Sequence, residues 1–257
     1  MGEIVLLGTG TSHGVPVIGC RCPVCRSENP RNNRTRTGVA VTAEQGTFLI
    51  DTSPELRIQL LRERIDLVQA VVYTHGHADH IFGLDDLRLF GYTLKRPIPL
   101  YCEEPVAQQI RASFSYAFTL PDPELHFGAI PQLEIRPLDL NPIELLGTTV
   151  LPIRMLHGKL PVLGFRIGNV AFCTDVSFIP EESYERLQGL DVLIVDALRD
   201  VPHATHFGIP QALAVAERVR PKRTYFTHVS HHLEYEATNR RLPDGVELSY
   251  DGLRIPF

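Results

Sequence analysis

The segment His75-Gly76-His77-Ala78-Asp79-His80 limits what this chain can become more than any other stretch of it. Four side chains able to ligate a metal stand close together, directly after the apolar run Val71-Val72-Tyr73. Such a run reads as a buried strand, so the polar cluster should occupy the loop that leaves it, on a rigid base. The alternation of His75 and His77 lets both imidazoles approach one ion. Asp79 and the adjacent His80 can turn toward a second ion a few ångströms away. Packing gives no reason for this spacing, whereas a hydrolytic metal centre does.

A centre of two ions needs further ligands, including an oxygen that bridges them, and the chain offers three candidates at the ends of apolar runs. His157 comes after Val150-Leu151-Pro152-Ile153, Asp175 after Val170-Ala171-Phe172-Cys173, and His228 after Thr224-Tyr225-Phe226. Each alone is a weak signal. Together with the first cluster they point to one site assembled from several strand ends.

The remaining pattern sets the scaffold. Strand-like runs occupy residues 4–7, 39–42, 48–50, 70–73, 98–101, 133–135, 150–153, 163–167, 170–173, 192–195 and 224–226. Helical patterns cover residues 55–64, 84–90, 105–118, 181–188 and 210–219, and together these predict sheets covered by helices, an α/β sandwich. The two strand-rich parts of the chain read as two structural halves. A hydrophobic content of 44% supplies ample core, and without a low-complexity tract or linker residues 1–257 are expected to form a single domain. Residues 119–142, with prolines spaced through polar sequence, read as a surface connection, and His126 within it has no neighbour that suggests chemistry.

A net charge of −5 argues against a protein that grips long nucleic acid by its phosphates, and favours a small substrate. The opening Met1-Gly2-Glu3-Ile4-Val5-Leu6-Leu7-Gly8 reads as a strand, not a leader, and no apolar stretch reaches the roughly 18 residues of a membrane span. A cytoplasmic location with no membrane partner is therefore expected. The five cysteines are an odd set, and the spacing of Cys20, Cys22 and Cys25 suits metal ligation better than disulfide pairing. Cys102 and Cys173, in apolar surroundings, read as buried inert thiols.

At His75, His77, Asp79 and His80 the sequence resembles the metallo-β-lactamase superfamily, whose His-x-His-x-Asp-His motif these residues match in full. The resemblance implies an αββα sandwich with its site at the edge of two facing sheets. It also implies that His75, His77 and His157 hold one metal, that Asp79, His80 and His228 hold the other, and that Asp175 bridges them. Asp51, at the end of Phe48-Leu49-Ile50, matches the aspartate that orients the metal-binding loop by hydrogen bonds. Cys173 lies on the same strand face as Asp175 and is a rival bridging ligand, but a carboxylate suits two hard or borderline cations better.

Two further features resemble the PhnP-like cyclic phosphate phosphodiesterases: the opening Leu7-Gly8-Thr9-Gly10-Thr11-Ser12 and the cysteine cluster. That resemblance implies a closed structural zinc site of Cys20, Cys22, Cys25 and His231, with His232 a rival for the fourth position. It also implies a catalytic histidine between residues 196 and 207, and His206 is favoured over His203 as the acid that protonates the leaving oxygen. His13 stands on a loop that can reach the mouth of the site, with a solvated loop histidine as an equally good reading.

The expected function is a metal-dependent phosphodiesterase acting on a small, cyclic or open, phosphodiester. Two active-site ions, zinc or manganese, would generate an attacking hydroxide between them, Asp79 belongs to the catalytic set, and one structural zinc completes the metal content. Arg31, Arg34 and Arg36 are candidate phosphate contacts, with a solvated basic surface as the plainer reading. The rival readings are a ribonuclease Z-like tRNA-processing nuclease and a non-hydrolytic metalloprotein related to PqqB. A homodimer is compatible with the sequence, which does not decide the oligomeric state.

Overall fold

Alternation of apolar and polar side chains along the short runs resolves into two facing sheets. The computed structural model describes residues 2–118 and 129–257. His126 and part of the connection at 119–142 lie outside the described residues. The first half of the chain forms β1 (Glu3–Gly8), β2 (Gly38–Ala43), β3 (Gly46–Ile50), α1 (Leu56–Glu63), β4 (Ala70–Val72), α2 (Ala78–Ile81), α3 (Arg88–Leu94), β5 (Ile98–Cys102), α4 (Glu104–Ser113) and β6 (Leu133–Pro137). The second half forms β7 (Ile143–Leu145), β8 (Thr148–His157), β9 (Leu160–Ile167), β10 (Val170–Cys173), β11 (Val192–Asp196), α5 (Ile209–Val219), β12 (Arg223–Thr227), α6 (Tyr235–Asn239), β13 (Val246–Leu248) and β14 (Arg254–Pro256).

One sheet runs β14-β1-β2-β3-β4-β5-β6 and the other β13-β12-β11-β10-β9-β8-β7. In each sheet an antiparallel meander passes into parallel strands, at β3–β4 in the first and β10–β11 in the second. This is the αββα sandwich that the resemblance implied, with one half of the chain to each sheet and β14 returning to the first.

The side-chain period of two divides each strand between layers. Along β10, Val170 and Phe172 enter the core between the sheets, where Phe48, Ile50, Val72, Phe165 and Ile194 also meet. Ala171 and Cys173 face outward, onto a second core shared with α5. Val71 of β4 likewise faces away from the sandwich interior, toward α1, α3 and α4. Burying each large aliphatic or aromatic side chain in these layers contributes about 1.5–3 kcal/mol. Four-layer packing of this kind leaves the parallel strands β3, β4, β10, β11 and β12 ending together at one edge of the sandwich, where the ligand-type residues follow.

Some boundaries differ from the sequence expectation. Residues 181–188 wind as a 3₁₀ segment, Glu181–Leu187, because Pro180 starts it and extended backbone at Gln188 stops it. The pattern at 84–90 divides into a 3₁₀ turn, Leu84–Leu87, and α3. Strands β7, β13 and β14 had no apolar signature, since each is three residues long and carries a charged side chain. No helix is long and apolar enough to cross a membrane among the described residues.

Candidate metal centre

Each ligand-type residue follows a strand that ends at the same edge of the sandwich. His75 and His77 lie in the loop after β4, Asp79 and His80 in the one-turn helix α2, His157 at the end of β8, Asp175 after β10, and His228 after β12. Three residues of this loop layer, Asp51, Asp175 and His228, hold left-handed backbone with φ of 65°, 52° and 57°. A side chain with a Cβ pays for that conformation by about 1–3 kcal/mol, and packed surroundings must impose it. The bend takes Asp175 off the strand direction, so it turns into the site.

Two groups result. Ligand atoms of His75, His77, His157 and Asp175 lie within 4.8 Å of one another, and so do those of Asp79, His80, Asp175 and His228. Asp175 belongs to both. One of its oxygens is 3.3 Å from His80 Nε2 and 3.2 Å from His228 Nδ1, and the other is 3.8 Å from His75 Nε2. The His80 Nε2 atom is also 3.4 Å from Asp79. The structure therefore brings together all seven residues expected from the sequence, in the division that the resemblance implied.

Hydrogen bonds at the opposite ring edge fix the orientation of His75, His80 and His157. Asp51, fully buried, accepts from His80 Nδ1 at 2.7 Å, and also from the Thr74 amide and hydroxyl. His75 Nδ1 meets Thr74 Oγ1 at 2.9 Å, and His157 Nδ1 donates to the Thr205 carbonyl at 2.6 Å. These contacts leave His75 Nε2 and His80 Nε2 buried with no hydrogen-bond partner. Buried polar atoms are nearly always partnered, so two orphans aimed at shared carboxylates fit a missing cation. Burial raises the Asp51 pKa, against His80 and Thr74, which lower it. Burial opposes a charge on His80 as well, but Asp175, Asp51 and Asp79 outweigh it and raise its pKa. Asp79 and Asp175 beside these imidazole nitrogens make a set of nitrogen and oxygen donors that fits divalent cations.

Cys173 is not a ligand. Its thiol faces the outer core with α5, and burial pushes its pKa up to about 12. Burial does the same to Cys102, so both thiols are inert, as expected.

A separate cluster joins the N-terminal loop to the chain just beyond His228. Cys20, Cys22 and Cys25 place their sulfurs 3.3, 3.6 and 3.4 Å from His231 Nδ1. A tetrahedral zinc with bonds of about 2.3 Å to sulfur and 2.0–2.1 Å to nitrogen separates those ligands by about 3.6 Å, so the set matches a closed site. His232 instead meets Ser230 Oγ at 3.0 Å, and His231 is the fourth member. His13 is exposed and close enough to His231 to act on its charge.

His206 reaches the active site from the loop before α5. Its ring lies 4.5 Å from that of His157 and stacks 4.7 Å from that of His228. His206 Nδ1 is 2.7 Å from Oδ2 of Asp196, the last residue of β11, which is wholly buried. Burial lowers the His206 pKa, but Asp196, through its hydrogen bond and charge, raises it above the ordinary value. His203 is exposed and touches only Thr205 by hydrogen bond. Asp196 had not been singled out in the sequence, although it ends an apolar run as Asp51 does.

The three arginines do other work. Arg34 is fully buried and donates to the carbonyls of Ser230 and Leu233 and to Asn32. Arg36 pairs with Glu55 and donates to the Ser12 carbonyl. The Arg31 guanidinium lies 4.9 and 4.7 Å from the rings of Tyr235 and Tyr250. Exposed Arg31 fits the plainer reading of a solvated basic surface, whereas buried Arg34 departs from both readings and Arg36 is held by protein partners.

Comparison with known proteins agrees with the geometry. A sequence profile described as a β-lactamase superfamily domain matches residues 47–229. A crystal structure of a diphosphatase from the PhnP family superposes with a TM-score of 0.92 at 42% identity, covering 99% of this chain and 96% of that one. Zinc-bound PqqB from Methylobacterium extorquens superposes with a TM-score of 0.77, over 99% of this chain and 100% of that one, and at 20% identity it shares the fold. An octanoyltransferase from Porphyromonas gingivalis is 38% identical over 252 residues, which is 97% of this chain and 50% of that protein. The chain spans about half the length of that octanoyltransferase.

Proposed function

Because the chain belongs to the metallo-β-lactamase superfamily and is PhnP-like within it, we propose that it is a metal-dependent hydrolase of a small phosphodiester, open or cyclic. The observation that carries this reading is Asp175, a buried carboxylate shared between two ligand groups. His75, His77 and His157 would hold one divalent ion and Asp79, His80 and His228 the other. Bound there, the ions would supply Lewis acidity to a phosphoryl oxygen and lower the pKa of a water.

The protein's own groups do the rest. Thr74, Asp51 and the Thr205 carbonyl hold three imidazoles in one rotamer and tautomer, so that their opposite nitrogens point into the site. Asp196 accepts from His206 Nδ1, leaving the Nε2 proton free to pass to the departing oxygen. The contact of the His206 ring with those of His157 and His228 supports this role. A net charge of −5 and the structural engagement of Arg34 and Arg36 support a small substrate over tRNA.

The test is a panel of phosphodiester, diphosphate, thioester and lactone substrates, with an octanoyl thioester among them, given to the protein loaded with zinc or manganese. Turnover of the phosphodiesters above the other classes is expected. Turnover of thioesters or lactones without any phosphodiester would replace this reading.

A further inference from the structure

We propose that the cavity adjoining His75 and Gly76 binds the organic group carried by the phosphodiester, and that this group is an uncharged heteroaromatic ring system such as a nucleobase. The proposal rests on the phosphodiester reading and adds the class of ester that the site selects. The cavity measures about 440 Å³ and is bounded by the loop after β4, the start of α4, and the hairpin of β8 and β9. Cavities that bind small organic ligands typically span about 300–1,000 Å³, so one nucleoside fits with room for water.

Its position ties it to the chemistry. His75 belongs both to the wall of this cavity and to the first ligand group. A group bound here therefore lies next to the residue that begins the first ligand group. Gly76 adds to the link: a Cβ at that position would meet Gln109 Oε1 at 2.2 Å, so glycine leaves room for the Gln109 amide against the metal-binding loop.

The lining selects the chemistry. Val106, Leu156, Leu160 and Pro161 make the walls apolar, and Leu160 is 40% exposed, so a ligand can reach it. Besides His75, the polar groups of the lining are the Gln109 amide and the pair formed when Arg154 Nη1 and Nη2 grip both oxygens of Glu103, at 2.9 and 2.5 Å. That bidentate pair cancels the only cation of the lining, so nothing there compensates a second phosphate or a carboxylate. Apolar faces with a hydrogen-bonding edge describe a heteroaromatic base. A sugar phosphate lacks the first property and an alkyl chain lacks the second.

The experiment compares three p-nitrophenyl phosphodiesters whose other ester group is thymidine, methyl or octyl, using the full metal-loaded chain. The thymidine ester should be turned over with kcat/KM about tenfold or more above the other two. Leu160→Trp, at a partly exposed wall position, and Val106→Phe as a second variant, should reduce that preference by about tenfold. Equal kcat/KM for the three esters, a preference for octyl, or a preference unaltered by both variants would overturn the proposal. Calorimetric binding of thymidine monophosphate and of methyl phosphate keeps the question separate from catalysis. The nucleotide should bind the wild-type protein about tenfold more tightly than methyl phosphate, with the difference lost in both variants. Equal binding rejects the cavity even if phosphodiesters are hydrolysed. Selective nucleotide binding without hydrolysis would instead reject the phosphodiesterase reading while retaining the cavity.

Discussion

His206 Nδ1 lies 2.7 Å from Asp196 Oδ2, and this contact joins the loop before α5 to the buried end of β11 at the mouth of the metal centre. Asp196 Oδ2 also accepts from the Val176 amide at 3.1 Å, one residue beyond Asp175. One carboxylate therefore sets the rotamer of the candidate acid and braces the turn that carries the bridging ligand. The ring of His206 cannot swing away without breaking a buried hydrogen bond.

Replacing His206 with alanine should lower kcat by about 10²–10⁴ with metal content unchanged, since the side chain serves as a proton donor and not as a ligand. Steady-state kinetics with parallel metal analysis checks this. Unchanged kcat would remove His206 from the mechanism.

Asp51→Asn should weaken metal binding about 10–100-fold without unfolding the chain. The asparagine amide keeps one acceptor for the Thr74 amide but cannot match the carboxylate that takes His80 Nδ1 and Thr74 Oγ1 together. Titration with a competing chelator reads the affinity. Wild-type affinity would show that Asp51 does not orient His80.

Cys22→Ser should cost the protein one tightly held metal and lower its unfolding temperature, while the other ions stay bound. A closed Cys₃His set contributes its binding free energy to folding. It links residues 20–25 to His231, three positions beyond His228. Metal counting together with thermal unfolding decides the matter, and equal metal content in variant and wild type would contradict it.

Arg34→Met should destabilise the chain by about 2–4 kcal/mol, because the carbonyls of Ser230 and Leu233 lose a buried donor. Denaturant unfolding measures the loss. A change below about 0.5 kcal/mol would mean that water replaces the guanidinium.

Much of the site was legible because its ligands obey a local rule. Each stands just after an apolar run, and four of them share one short segment, so His75 through His80 announced a metal before any fold was known. The pairing of distant ligands came from the resemblance, since spacing does not say that His157 approaches His77 or that Asp175 reaches both groups. Asp175 and Cys173 share a strand parity, and only the left-handed backbone at Asp175 separates the ligand from the core thiol. Asp196 obeyed the same strand-end rule and went unnoticed because its partner His206 is ten residues away across a loop. Arg34 misled for the opposite reason: a basic run reads as surface, and burial of a guanidinium depends on carbonyls almost 200 residues further on. Short edge strands such as β7 and β14 take their conformation from their neighbours, not from their own side chains.

The central claim, a two-metal phosphodiesterase joined at Asp175, is tested most directly by hydrolysis of bis(p-nitrophenyl) phosphate with wild-type protein and Asp175→Asn, each loaded with zinc or manganese. The wild-type protein should hydrolyse the ester, and the variant should lose at least about 10³-fold in kcat and bind its active-site ions more weakly. Full metal loading of the wild-type protein with no phosphodiester turnover, or wild-type turnover by the variant, would contradict the account.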